Sequence, residues 1–205
     1  RVFYNPSINL SYYVPWIGEK LHLFMGIGGA WQRQRNRSLT AVGRESGSNT
    51  IAYNDSNYEN VQYKAELTLG RYFGKHFSVF TEYKFNHLRV SQFAPGRTVS
   101  EDGVDRYITL GAGVSWDSRD INEYATKGLM FRTMYERYGF LDEEVNFGRF
   151  ILENQSFIPV PITKNYYITI ASKLYTSLAM GAVIPVYNHE YLGYSEDYVR
   201  GWKGK

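Results

Sequence analysis

Between Val61 and Leu69 the chain alternates without a slip. Val61, Tyr63, Ala65, Leu67 and Leu69 interleave with Gln62, Lys64, Glu66 and Thr68. A strict period of two puts every apolar residue on one face of an extended strand, a pattern no helix can hold on one side.

The pattern recurs along the chain. Ile8, Leu10, Tyr12 and Val14 alternate with Ser7, Asn9, Ser11 and Tyr13. Leu21, Leu23, Met25, Ile27 and Trp31 oppose His22, Gly26, Gly28 and Gln32. Phe77, Val79, Tyr83 and Phe85 oppose Ser78, Glu82, Lys84 and Asn86. Ile108, Leu110, Ala112, Val114 and Trp116 oppose Thr109, Gly111, Gly113, Ser115 and Asp117. Leu129, Phe131 and Tyr135 oppose Arg132 and Glu136; Tyr166, Ile168, Ile170, Leu174 and Leu178 oppose Thr169, Lys173, Tyr175 and Ser177. The stretch Phe147–Ile158 is less regular and reads as a strand chiefly through its neighbours. The total is about eight strands.

The connections predict two kinds of end. Short turns are expected near Pro15–Lys20, Gly74–His76, Ile121–Gly128 and Pro159–Asn165. Longer polar loops are expected near Ser38–Asn60, Phe93–Val104 and Phe140–Asn146, and from Asn188 onward. Short turns at one end and long loops at the other describe bacterial outer-membrane barrels, with the turns periplasmic.

A soluble sandwich or lipocalin-like barrel also alternates, but packs its apolar face inward. Segments of about 10 residues suit a tilted membrane crossing. Composition points the same way: 19 Tyr, 12 Phe and 4 Trp are a heavy load of amphipathic rings, suited to a membrane–water boundary. Trp16, Tyr72, Phe73, Trp116 and Tyr166 stand near strand ends. No apolar run approaches the roughly 20 residues of a membrane helix, and Arg1 opens without a signal-peptide pattern. The expected fold is therefore all-β, a transmembrane antiparallel β-barrel.

Other chemistry is poorly represented. Without cysteine there is neither a disulfide nor a thiolate metal site. The net charge of +3 is small and dispersed, which gives nucleic acid no footprint. His76 and Ser78 share a strand face as in a phospholipase-like His-x-Ser pair, but beside a short turn. His22, His87 and His189 lack metal-ligand spacing. Gly26–Gly29 lies within a strand, so it reads as room in the lumen rather than a phosphate loop. Asp117, Asp120, Asp142 and Glu144 are explained by turn and loop solvation.

Two motifs carry a resemblance. Val199–Arg200–Gly201–Trp202 closes a Tyr- and Gly-rich stretch, and Trp116–Asp117–Ser118–Arg119–Asp120 precedes Ala125–Thr126–Lys127–Gly128–Leu129. The first resembles the Val-Arg-Gly-aromatic signature of the BamA/TamA-like surface-antigen superfamily, with Trp202 where Phe or Tyr is commoner. The second resembles that family's strand–turn–strand segment, in which Asp117, Arg119, Asp120, Thr126, Lys127 and Gly128 are the matching positions.

The resemblance implies a sixteen-stranded barrel of which about eight strands are present. The whole chain, 1–205, would then be part of one barrel domain, without periplasmic modules or seam strands. It implies that the loop carrying Arg200 folds into the lumen and pairs with an acidic strand beyond Lys205. A buried guanidinium needs such a partner, and Gly201 would permit a close backbone approach. An exposed Arg on a surface loop is the plain alternative. Lys64, Glu66, Glu82, Lys84, Arg132, Glu136 and Lys173 fall on the non-lipid faces; their mixed signs suit ion pairing over a one-sign filter. By resemblance the protein would assemble or translocate outer-membrane proteins. It would act on nascent barrels among outer-membrane lipids, with accessory assembly lipoproteins as further partners, and without a cofactor or bond chemistry. Rival readings are a porin-like diffusion channel, a small eight-stranded structural or adhesion barrel, and the anchor of a fused enzyme.

Overall fold

A computed structural model describes residues 5–18, 20–35, 59–91, 97–140, 144–164 and 166–188. These described residues contain eight strands: β1 (Ser7–Ile17), β2 (Leu23–Arg35), β3 (Glu59–Phe73), β4 (Phe77–Val90), β5 (Val104–Asp117), β6 (Gly128–Phe140), β7 (Asn146–Pro161) and β8 (Tyr167–Val183). They form one sheet in sequence order, every neighbour antiparallel. A 3-10 turn, Val186–Asn188, follows β8. No helix among the described residues is long and apolar enough to cross a membrane.

The sheet's two faces differ in a way that decides its orientation. The apolar positions of the alternating pattern are exposed: Leu10 at 72 %, Ile27 at 52 % and Leu178 at 54 %. On β4 to β7 the polar positions are covered or half-covered instead, with Thr109 only 1 % and Glu136 only 2 % exposed. A soluble sandwich would bury the first set and solvate the second. The observed inversion is that of a wall with lipid outside and a polar lumen inside. The sheet curls enough that side chains from β1 to β6 line one hollow of about 380 Å3 on the polar side. Among the described residues β1 and β8 make no contact, so these eight strands do not close on each other.

Cross-strand register explains how the inner face packs. One row across β2 to β7 reads Phe24, Gly70, Phe80, Gly113, Met134, Ile151. Large side chains flank glycines, and the rings lie over the space the glycines leave. A Cβ on Gly70 would collide with the Phe24 ring, and one on Gly113 would stand 2.7 Å from both Phe80 Cζ and Met134 Cβ. Phe24, Phe80 and Met134 form a small apolar cluster inside the lumen, with Tyr72 and Ile151 against it.

Several expectations are corrected. Pro15–Lys20 is not all turn, because β1 continues through Ile17. The β6–β7 connection, 141–145, is short, whereas the β5–β6 turn, 118–127, is the longest on its side. Loop length therefore alternates less cleanly than the sequence suggests. Trp16 stands exposed at the end of β1, but Tyr72 does not belong to an outward aromatic girdle. Tyr72 faces inward, bonded to Tyr13 (Oη–Oη 3.1 Å), and the Trp16 ring lies 5.4 Å from it. The irregular stretch 147–158 is part of β7, a continuous strand. Its pattern is blurred because Phe147 and Ile151 face the lumen while Asn154 and Ser156 share the other face.

Candidate functional site

The inner face carries a connected set of charges. Glu82 on β4 and Glu136 on β6 flank Gly111 of β5 in register. Because Gly111 has no side chain, the two carboxylates reach the same cation across the intervening strand. Lys84 Nζ lies 2.7 Å from Glu82 Oε2 and 2.7 Å from Glu136 Oε1. Arg132 Nη2 donates to Glu82 Oε1 at 2.8 Å, its guanidinium 4.6 Å from the centre of the Phe80 ring. Tyr138 Oη donates to Glu136 Oε2 at 2.7 Å. Each buried carboxylate thus has charged or hydroxyl donors, which lets it remain ionised away from bulk water.

A second cluster sits toward the loop end. Asp105, 1 % exposed, accepts from the backbone N–H of Val99 (2.9 Å) and Ser100 (2.9 Å) and from Tyr187 Oη (2.7 Å). Asn188 donates to Tyr107 Oη at 3.2 Å, and Arg149 donates to the Asn188 carbonyl. The Arg149 guanidinium lies beside the rings of Tyr138 and Phe147, which are themselves stacked 4.3 Å apart. Val145, Phe147 and Tyr107 pack there with Ile184 and Tyr187. The segment leaving β8 is therefore drawn inward over the mouth of the lumen rather than out into solvent.

At the opposite end the β5–β6 turn is tied by its own side chains. Arg119 forks onto Asp117, with Nε to Oδ1 at 3.0 Å and Nη2 to Oδ2 at 2.6 Å. The Asp120 carboxylate accepts from Thr126 Oγ1 (2.6 Å) and from the N–H groups of Thr126 (2.9 Å), Ile121 (3.0 Å) and Lys127 (3.3 Å). The Thr126 hydroxyl and these amides hold the Asp120 carboxyl well below the usual carboxylate range. Gly128 has φ +110°, and a Cβ there would lie 2.8 Å from Arg119 Cα.

The structure brings Glu82, Lys84, Arg132 and Glu136 into one network, and Asp117, Arg119, Asp120, Thr126, Lys127 and Gly128 into one turn. Lys64 and Glu66 share the inner face beside a second hollow without joining the network. Lys173 Nζ lies 3.6 Å from Glu153 on the neighbouring strand, and Glu153 stands opposite Arg132 in register. Val199, Arg200, Gly201 and Trp202 lie outside the described residues, as does His189. Sequence reading missed Asp105, Tyr107, Arg149 and Tyr187. Asp105 sits opposite Arg106 in the alternation, the one signal that could have placed it on the inner face.

Comparison with known proteins gives a consistent result. The sequence pattern of the Omp85 superfamily domain matches residues 3–205. Among solved structures, BamA from Haemophilus ducreyi lacking POTRA domains 1-3 is similar in fold, with a TM-score of 0.61 at 15 % identity. The match covers 92 % of this chain and 36 % of that one, so the chain spans little more than a third of that protein's length. No curated protein matches the chain.

Proposed function

Because this chain belongs to the Omp85 superfamily, we propose that it forms part of the barrel wall of a bacterial outer-membrane factor that inserts or translocates other proteins. The observation that carries the reading is the inward course of Ile184–Asn188, held by Asp105, Tyr107 and Arg149. That course supports the reading that the following loop, with Val199–Trp202, folds into the lumen. In this reading Arg200 pins the loop tip through a buried ion pair, and the mixed-sign network beneath stiffens the wall. Such a network does not present the one-sign lining of a selective pore. Substrates are nascent barrel proteins, recognised by edge pairing outside these eight strands. Accessory lipoproteins, where present, bind elsewhere on the full-length protein. No cofactor or bond chemistry is involved.

The test uses the full-length protein reconstituted in vesicles with a small outer-membrane barrel as reporter. Arg200→Ala should lower the folded reporter yield roughly tenfold, as expected for losing one partner of a buried pair. Unchanged yield, with steady ion conductance of the wild-type protein in planar bilayers, would instead establish a diffusion channel.

A further inference from the structure

The lipid-facing side of the sheet carries cations at its loop end. In register, one row runs Trp31, Tyr63, His87, Arg106, and the row beyond it runs Arg33, Val61, Arg89, Val104. The row on the membrane side is Gly29, Ala65, Phe85, Ile108, with Phe85 46 % and Ile108 40 % exposed. Charge therefore begins where the apolar face stops. Arg89 and Arg106 are exposed, on adjacent strands, with His87 on the same face between them. Arg33 pairs with Glu59, but among the described residues no carboxylate pairs with Arg89 or Arg106.

An outward Arg is costly at the bilayer midplane and nearly free at the interface. Two of them beside the last apolar row mark the headgroup level. The guanidinium fork matches phosphate oxygens bidentately, and the Tyr63 ring, 5.6 Å from His87, adds an amphipathic surface at the same depth.

We propose that Arg89 and Arg106, with His87 between them, form a binding site for the phosphate of an anionic lipid headgroup in the leaflet at the loop end. The proposal rests on the exposed apolar face being the lipid-facing one.

Native mass spectrometry of the full-length protein in detergent tests it, with phosphatidylglycerol, phosphatidylcholine or inorganic phosphate as the probe. Arg89→Gln with Arg106→Gln should raise the phosphatidylglycerol concentration needed for a retained adduct by about tenfold. Arg89→Lys with Arg106→Lys should fall between wild type and the Gln variant, keeping the charge but losing the bidentate fork, and inorganic phosphate alone should give no adduct. Wild-type retention by the Gln variant, equal retention of phosphatidylcholine, or an adduct with free phosphate would each overturn the site. A heat-modifiable gel shift, run on every variant, reports the barrel separately; its absence in the wild type would count against the membrane reading itself.

Discussion

Replacing Lys84 by methionine should destabilise the wall by about 3 kcal/mol, because it removes the cation shared by two buried carboxylates. Glu82 and Glu136 face each other across Gly111, and Lys84 Nζ sits 2.7 Å from an oxygen of each. Without it, among the described residues Glu136 keeps the Tyr138 hydroxyl, while Glu82 keeps Arg132. Two like charges would then share a site shielded from water, and one must take up a proton or the strands must part. Glu136→Gln should cost less, about 1 kcal/mol, since a neutral amide leaves no unpaired charge. Urea unfolding of the full-length protein in micelles measures both. A Lys84→Met loss no larger than that of Glu136→Gln would show that water, not Lys84, satisfies the carboxylates.

Gly113→Val should cost a similar amount, about 3 kcal/mol, by a different mechanism. A Cβ on Gly113 would meet Phe80 Cζ, Met134 Cβ and the Thr133 carbonyl, all at 2.7 Å. The Thr133 oxygen is backbone and cannot step aside, so strain falls on the β5–β6 pairing. Gly111→Ala is the informative neighbour: its Cβ would meet Glu82, Met134 and Glu136 at 3.4 to 3.5 Å, close to ordinary contact. Ala112→Val, on the exposed outer face, should change stability by less than about 0.5 kcal/mol. A series in which all three substitutions cost the same would remove the case for interleaved packing over the β5 glycines.

How much of this was legible beforehand follows from how each feature is encoded. Strand order and facing were readable because lipid on one side and a polar lumen on the other enforce a period of two. In β3 that holds from Val61 to Leu69 without exception. Where the lumen holds its own apolar cluster the code is broken: Phe24, Phe80 and Ile151 fall on faces that read as polar, so β7 looked irregular. Alternation could place the charged residues on one face of the sheet. It could not give their pairing, since Glu82 and Lys84 meet Glu136 across β5, from a strand far along the chain. The inward course of Ile184–Asn188 depends on Asp105 and Arg149, far away in sequence, and no local pattern announces it. The turn residues Asp117 to Gly128 were found through a motif; their hydrogen bonds follow from the Asx chemistry of Asp120.

The most direct measurement labels β3, in a stretch of 205 residues without cysteine, after any cysteine elsewhere in the full-length protein has been replaced by serine. Single cysteines placed in turn at positions 61 to 69 of the full-length protein would carry an environment-sensitive fluorophore in lipid vesicles. Quenching by spin-labelled lipid should be strong at Val61, Tyr63, Ala65, Leu67 and Leu69. Quenching by aqueous iodide should be strong at Gln62, Lys64, Glu66 and Thr68. The opposite phase would place the apolar face in a protein core, and a pattern without a period of two would contradict a strand in this wall.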